Sequence, residues 1–174
     1  REVEEAADDL RRLIEENERS VRESKRTLEE LIKENEDSVR RSEKSLRDLI
    51  RELEEEGVRE RVVEELKRIV EKIVRDSRKS VDELRRIVEE VVKESKKSVE
   101  ELERIVREVI RLLEEGAPVE ELLKRVRDVS EESKRLDRKL NEDVKEVSKD
   151  SKRRDRELNE RVRKVAEDVK ETER

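Results

Sequence analysis

Leu, Ile and Val residues recur along the chain at intervals of eighteen residues, in several parallel series. In the first third the series are Leu10, Leu28, Leu46; Leu13, Leu31, Leu49; and Ile14, Ile32, Ile50. The middle third has Val63, Val81, Val99; Leu66, Leu84, Leu102; and Ile69, Ile87, Ile105, and the last third has Val126, Val144, Val162 and Val129, Val147, Val165. Eighteen residues make five turns at 3.6 residues per turn, so each series stays on one side of a helix. The pattern predicts nearly straight amphipathic helices, without the supercoil that a heptad repeat imposes.

Residues that end helices occur at two places, which divide the chain into three near-equal parts. Gly57 lies at the first, and Gly116 followed by Pro118 lies at the second. Glycine suits the residue just past a helix end, and proline suits the first turn of the next helix. The predicted helices are 2–56, 58–115 and 118–172, joined by turns so short that consecutive helices must pack antiparallel.

The fold class that follows is all-α, a single elongated antiparallel up-down-up three-helix bundle that is nearly untwisted and forms one domain over residues 1–174. The apolar face spans about 100° on the first helix and about 140° on the second, widths that suit packing against two neighbours. The third helix is the poorest in apolar surface, because Leu136 is replaced by Arg154 one repeat later. A single charged helix in water is the alternative, but such a helix has no need of Leu, Ile and Val in register. The pattern leaves the handedness of the bundle open.

Polar residues follow the same period on or beside the inward faces. They are Asn17 and Asn35, Ser20 and Ser38, Ser77 and Ser95, Ser80 and Ser98, Ser133 and Ser151, and Asp137 and Asp155. If the chain folds back at Gly57, residues of the first and second helices that lie at the same height have numbers that sum to about 115. If it folds back again at Gly116, the corresponding sum for the second and third helices is about 232. The sums place Asn17 with Ser98, Ser20 with Ser95, Ser98 with Ser133, and Ser95 with Asp137. One repeat along, the same sums hold for Asn35, Ser38, Ser77, Ser80, Ser151 and Asp155, so we predict two polar layers.

These layers are interpreted as hydrogen-bond networks, because buried hydroxyls, amides and carboxylates cost stability unless they find partners. A slipped bundle would bury the groups unpaired at about 1–3 kcal/mol each, so the layers would specify one register. The competing interpretation is a polar pocket with Asp137 or Asp155 as a base or metal ligand, but one carboxylate per layer is too few for a hard cation. The serines could also be surface residues at the helix flanks.

Composition narrows the function classes. The chain has 57% charged and 30% apolar residues, and it contains no His, Cys, Met or aromatic residue. It therefore lacks an imidazole base, a thiolate, the usual zinc ligands and the rings that stack on bases, so we expect no enzyme, no metal or cofactor and no nucleic-acid partner. The 47 basic and 53 acidic residues leave a net charge of −6. Without a membrane span or a signal peptide, we expect a soluble protein that is cytoplasmic when expressed recombinantly.

The repeat units of this chain are nearly identical to one another, a feature it shares with a known class of proteins. Ser77-Arg78-Lys79-Ser80-Val81 corresponds to Ser95-Lys96-Lys97-Ser98-Val99, the two turns are minimal, and the surface is almost wholly Glu, Arg and Lys. The chain resembles de novo designed helical bundles, built from parametric straight helices with buried hydrogen-bond networks. Natural three-helix repeats such as spectrin show heptads and buried aromatics, which this chain lacks.

The resemblance implies a structural scaffold without natural activity, in which the polar layers specify the fold. It also implies an alternative, a component that binds a partner helix or its own copies. Such a component would be half of a designed heterodimer, with three helices awaiting a fourth, or a cage-and-latch switch, with a displaceable terminal helix. The broad apolar face of the second helix favours the first of these, and the weaker third helix favours the second.

Overall fold

The computed structural model describes residues 2–173, which contain three long helices packed against each other and no β-strand. The helices are α1 (Glu2–Glu55), α2 (Glu60–Glu114) and α3 (Val119–Glu173). Each bound lies within two residues of its prediction. The all-α three-helix bundle predicted from the apolar spacing is therefore confirmed. Arg1 and Arg174 lie outside the described residues.

The two turns end α1 and α2 in the same way. Gly57 has φ +78° and Gly116 has φ +97°, in the left-handed region that a residue without Cβ adopts freely. After α1, the N–H of Val58 donates to the Leu53 carbonyl at 3.2 Å, and that of Gly57 donates to Glu54 at 3.2 Å. This is the Schellman arrangement, and it satisfies carbonyls that the helix end leaves without partners. The same two bonds recur after α2, from Ala117 to Leu112 and from Gly116 to Leu113.

By their internal contacts the residues divide into two compact units, each with part of all three helices. Unit 1 comprises Arg1–Glu29 and Ile87–Val144, and unit 2 comprises Glu30–Arg86 and Lys145–Arg174. The prediction of one domain is not tested by this division and stays a prediction.

Hydrogen bonds give the helix directions in unit 1. Asn17 and Ser24 of α1 bond Ser130 and Asn141 of α3, so the residue numbers rise together and the two helices are parallel. Ser95 of α2 bonds Asp137 of α3, and Ser98 bonds Ser133. The residue number in α3 thus falls as the residue number in α2 rises. The middle helix is therefore antiparallel to α3 in this unit, as predicted.

Unit 2 has the same directions. Asn35 and Ser42 of α1 bond Ser148 and Asn159 of α3, which makes these helices parallel. Glu36 and Glu43 of α1 pair with Arg85 and Arg78 of α2, which makes α1 and α2 antiparallel.

Each unit has a core of aliphatic side chains from all three helices. In unit 1 the core includes Leu10, Leu102, Leu113 and Val126, all 1% exposed or less. In unit 2 it is formed by Leu46, Leu49, Ile50, Leu53, Val58, Val63, Leu66, Val70, Val74, Val162 and Ala166. Full burial of such a side chain contributes about 1.5–3 kcal/mol.

The third helix contributes least to these cores, as its sequence predicts. Its buried apolar residues are Val126, Val144, Val162 and Ala166. Val119, Leu122 and Leu123 are partly buried against the core of unit 1, and Val169 against that of unit 2. The buried polar residues of α3 are Ser130, Ser148, Ser151 and Asp155, so polar contacts add to the packing of this helix. Among the described residues, none of the helices has a stretch long and apolar enough to cross a membrane.

Candidate functional site: buried polar contacts and an open apolar face

Two asparagines of α1 make buried hydrogen bonds to α3. In unit 1, Asn17 donates through Nδ2 to Ser130 Oγ at 2.8 Å and to the Leu13 carbonyl at 2.7 Å. In unit 2, Asn35 makes the equivalent bond to Ser148 Oγ at 2.5 Å. Each of these asparagines is 3% exposed, and each serine is 1% exposed. The amides thus have protein acceptors in place of water, which removes the main cost of their burial.

Three hydrogen bonds between α2 and α3 also involve predicted residues. In unit 1, Ser95 donates to Asp137 Oδ1 at 3.0 Å, and the hydroxyls of Ser98 and Ser133 lie 2.6 Å apart. Both pairs are those that the sum of about 232 specifies. In unit 2, Ser77 donates to Asp155 Oδ1 at 2.8 Å, which repeats the Ser95–Asp137 pair eighteen residues along each helix.

The predicted pairing of α1 with α2 is wrong in this structure. Asn17 bonds Ser130 and not Ser98, whose hydroxyl contacts Ser133. Equal height along the bundle does not decide which of two neighbouring helices a side chain faces, and Asn17 faces α3. Ser20, predicted opposite Ser95, is half-buried, and Ser95 bonds Asp137 instead.

Both layers are also less complete than predicted. Ser20, Ser38, Ser80 and Ser151 take part in none of the side-chain hydrogen bonds described for residues 2–173. Ser38 and Ser80 are half-buried, and Ser151 is 7% exposed. The polar contacts are therefore separate pairs that share α3, and a continuous network across three helices is not formed.

The sequence contained a signal for the missed contacts of α3. Residue numbers at one height sum to about 115 for α1 with α2 and to about 232 for α2 with α3. Residues of α1 and α3 at one height therefore differ by about 117 in number. Asn141 with Ser24 and Asn159 with Ser42 have that difference, and both pairs are hydrogen-bonded at 2.5 Å. The side-chain oxygens of these two asparagines are buried without partners, at a cost of about 1–3 kcal/mol each.

Burial also changes the electrostatics of the two aspartates. Desolvation raises the pKa of Asp137 above its ordinary value, and the Ser95 hydrogen bond opposes this rise. Burial likewise raises the pKa of Asp155, against the smaller effects of the Ser77 hydrogen bond and the charge of Arg154. The serines that donate to these carboxylates are themselves buried, at 5% exposure for Ser77 and 3% for Ser95. The aspartates thus serve as hydrogen-bond acceptors within the helix contacts.

Ion pairs cover the outer edge of the α1–α3 contact. In unit 1, Lys134 of α3 pairs with Glu16 at 3.5 Å. In unit 2, Lys152 pairs with Glu34 at 3.0 Å, and Lys170 pairs with Glu52 at 2.9 Å. The three lysines are eighteen residues apart, so the same cover recurs along α3. Similar pairs cover the α1–α2 contact of unit 2, including Arg78 with Glu43 at 2.7 Å and Lys67 with Glu54 at 3.2 Å.

Ion pairs of this kind do not join α2 to α3 among residues 2–173, and large apolar side chains along the α2–α3 contact are exposed. We call the following residues, which are 37–56% exposed, the open face of their unit: in unit 1, Ile87 and Ile105 of α2 and Val129 and Leu136 of α3; in unit 2, Ile69 of α2 and Val147 and Val165 of α3. Among residues 2–173, no ion pair joins α2 to α3, although Arg59, just before α2, pairs with Glu173. These residues were predicted to pack inward between two neighbours. That prediction is wrong because an apolar arc of about 140° is wider than the two contacts cover.

The position of the open face follows from the serine contact in unit 1. Ile105 lies seven residues after Ser98, two turns along nearly the same side of α2. Val129 lies four residues before Ser133, on nearly the same side of α3. Since Ser98 and Ser133 touch, Ile105 and Val129 flank the line where the two helices meet. In unit 2, Ile69 and Val165 have the corresponding positions, two repeats away along each helix.

Comparison with known proteins gave no relative. No family model, no curated protein and no solved structure matches this chain.

Proposed function

We propose that this protein is a helix-binding module, a three-helix bundle whose open face receives a partner helix. The observation that carries the proposal is the contrast between the helix contacts. Charged pairs cover the α1–α3 contact in each unit, whereas the α2–α3 contact leaves four large aliphatic side chains exposed in unit 1 and three in unit 2. In a chain with 57% charged residues, exposed Ile and Val at regular spacing are poorly explained as chance.

The form of the open face favours a helix as the partner. Two antiparallel helices leave a groove along their contact, and the apolar ridge of another helix fits into such a groove at 8–10 Å between axes. A partner with apolar residues at i, i+3, i+4 and i+7 would cover the Ile and Val side chains of each unit. This mode of binding completes a four-helix arrangement and requires no aromatic anchor.

A structural scaffold is the second candidate, and the buried polar contacts favour it. Asn17, Asn35 and Asp155 have partners on another helix, so a misregistered bundle would leave them unpaired. The two functions are compatible, because a binding module also needs a unique fold. Together with the repeat units and the minimal turns, these contacts support a designed origin, which we propose for the chain.

We propose no enzymatic, metal-dependent or cofactor-dependent activity. The Ser77 and Ser95 hydroxyls are buried and donate to aspartates, so a substrate has no access to them. An activated serine needs a base that takes up its proton in contact with substrate.

The proposal is tested on unit 1 with a displayed library of amphipathic helices of about 18 residues, or five turns, the spacing from Ile87 to Ile105. The apolar stripe is fixed as Leu and Ile, and the remaining positions are varied. We expect helices that bind the wild-type chain but lose binding to the double variant Ile105→Asp, Val129→Asp. The control with the same change in net charge is Lys96→Gln, Arg138→Gln, since each lies nine residues, or half a turn in angle, from its counterpart and is exposed. Circular dichroism establishes that both variants fold.

Enrichment of helices that bind the control variant and not the face variant supports the proposal. Failure to enrich any helix, or helices that bind the face variant equally well, contradicts it. Absolute mass from light scattering distinguishes a third result. A dimer of the wild-type chain that the face variant abolishes would make a second copy the occupant, in place of a separate helix.

A further inference from the structure

The α2 side of the open face is bordered by carboxylates. We call the following exposed residues the acidic edge: Glu65, Asp76, Glu83, Glu94 and Glu101. Glu65, Glu83 and Glu101 each lie four residues before an exposed isoleucine, and Asp76 and Glu94 each lie seven residues after one. Spacings of four and seven residues place side chains on nearly the same side of a helix. Each isoleucine of the open face thus has an acidic neighbour.

The acidic edge lies on the side of the isoleucines that is turned away from α3. Ser98 touches α3, and successive steps of about 20° around α2 lead from it to Ile105, to Glu94 and then to Glu101. A helix that covers Ile105 therefore has its own flank above Glu94 and Glu101. The repeat places Asp76 and Glu83 in the same relation to Ile87, and Glu65 in that relation to Ile69.

Each of these carboxylates has a Lys or Arg three residues after it in the sequence, but the described side chains do not form an ion pair there. Among residues 2–173, the α2 carboxylates in ion pairs with α2 cations are Glu64, Asp82, Glu103 and Glu108. None of the five residues of the acidic edge makes an ion pair within the described chain. The α3 border of the face is mixed, with Arg125 and Arg161 four residues before exposed valines and Asp143 before the third.

We infer that the partner is an amphipathic helix with Lys or Arg along the flank that lies over α2. This inference rests on the proposed helix-binding function and adds the chemistry of the partner. Positive side chains there would meet unpaired carboxylates, whereas Glu or Asp would add like charges. A second copy of this chain is the less suitable occupant, because each copy carries a net charge of −6. Stacking α2 on α2 would also bring two acidic edges together.

Two synthetic peptides of one length and one apolar stripe test the inference, one with Lys flanks and one with Glu flanks. We expect the Lys peptide to bind at least about fivefold tighter at low salt, since three exposed pairs contribute modestly. The difference should shrink near 1 M salt, where the screening length is about 3 Å. The triple variant Glu83→Lys, Glu94→Lys, Glu101→Lys should abolish or reverse the preference.

The control variant Glu71→Lys, Glu89→Lys, Glu100→Lys has the same net charge, with its exposed substitutions away from the open face. It should keep the preference for the Lys peptide. Equal binding of both peptides, a preference for Glu flanks, or loss of the preference in the control would overturn the charge inference alone. Absence of binding by either peptide would count against the helix-binding function itself.

Discussion

The two edges of α3 differ although they belong to one helix. The edge toward α1 carries Lys134, Lys152 and Lys170, each paired with a glutamate of α1. The edge toward α2 carries exposed valines at the same eighteen-residue interval, with no ion pair to α2 among residues 2–173. One edge is covered by long charged side chains and the other is left apolar. The difference indicates that the open face is a property of particular positions and not of the composition.

The contrast also separates contacts that stabilise the fold from those available for binding. Side chains enclosed between helices contribute through burial and hydrogen bonds. Side chains of the open face stay in contact with water and contribute little until a partner covers them. Substitutions at enclosed positions should therefore lower the free energy of unfolding more than substitutions on the open face.

Truncation in the core should exceed truncation on the open face. Leu102 is 1% exposed and Ile105, three residues along the same helix, is 37% exposed. We expect Leu102→Ala to lower the free energy of unfolding by about 2–5 kcal/mol through cavity formation. Ile105→Ala should lower it by about 1 kcal/mol or less, since much of its surface is already solvated. Urea unfolding measures both, and equal losses would mean that Ile105 is enclosed.

Removal of a polar contact at the α1–α3 edge should have the next largest effect. Asn17→Ala leaves Ser130, which is 1% exposed, without its partner. We expect a loss of about 1–3 kcal/mol in the free energy of unfolding. Ser20→Ala is the matched control three residues away, at a half-buried serine, and should change stability by under about 0.5 kcal/mol. The Asn17–Ser130 contact is unimportant if the two variants unfold at one urea concentration.

The half-buried Asp137 should make stability depend on pH. Because the folded-state pKa of Asp137 is raised, its contribution is fully present below its ordinary pKa of 3.8 and is lost as pH rises through the folded-state value. Asp137→Asn avoids this loss and should stabilise the protein at neutral pH by up to about 1 kcal/mol, allowing for partial exposure. The gain should vanish below pH 3.8. Asp143→Asn, on the exposed surface of α3, is the control and should show no such gain across the pH series.

The smallest effect should come from the α1–α2 edge, which differs between the units. Glu36 pairs with Arg85 in unit 2, whereas in unit 1 the repeat places Glu18 opposite Glu103. Burial and the Glu103 contact raise the pKa of Glu18. Glu103→Arg should replace like charges by an ion pair and stabilise the chain by about 0.2–1 kcal/mol at neutral pH. Glu108→Arg provides a control for net charge, and an equal gain there would show that the pairing is irrelevant.

The sequence predicted the helices and their directions well because both depend on local features. Breakers at Gly57 and Gly116 define the ends, and short turns require antiparallel neighbours. The pairs of α2 with α3, such as Ser95 with Asp137, were also predictable, since height along the bundle and helix face both agreed.

Two features required the packed structure. The partner of Asn17 was mispredicted because height does not specify which neighbour a side chain faces. The sequence left the open face as an alternative, because a wide apolar arc is compatible with either full burial or one exposed edge. The numbers of Ile105 and Val129 sum to 234, so the sequence places the two residues at about the same height. The sum does not show that both lie on the outer, exposed side of the α2–α3 contact.

The most direct test of the open face is methyl NMR of the isoleucines with a water-soluble paramagnetic agent. The signals of Ile69, Ile87 and Ile105 should be attenuated in the free protein, while Ile50, which is 6% exposed, should be protected. Addition of the Lys-flanked peptide should then protect the three attenuated methyl groups. Attenuation that is equal at all isoleucines, or unchanged by a bound peptide, would contradict the claim that the α2–α3 contact forms the binding face.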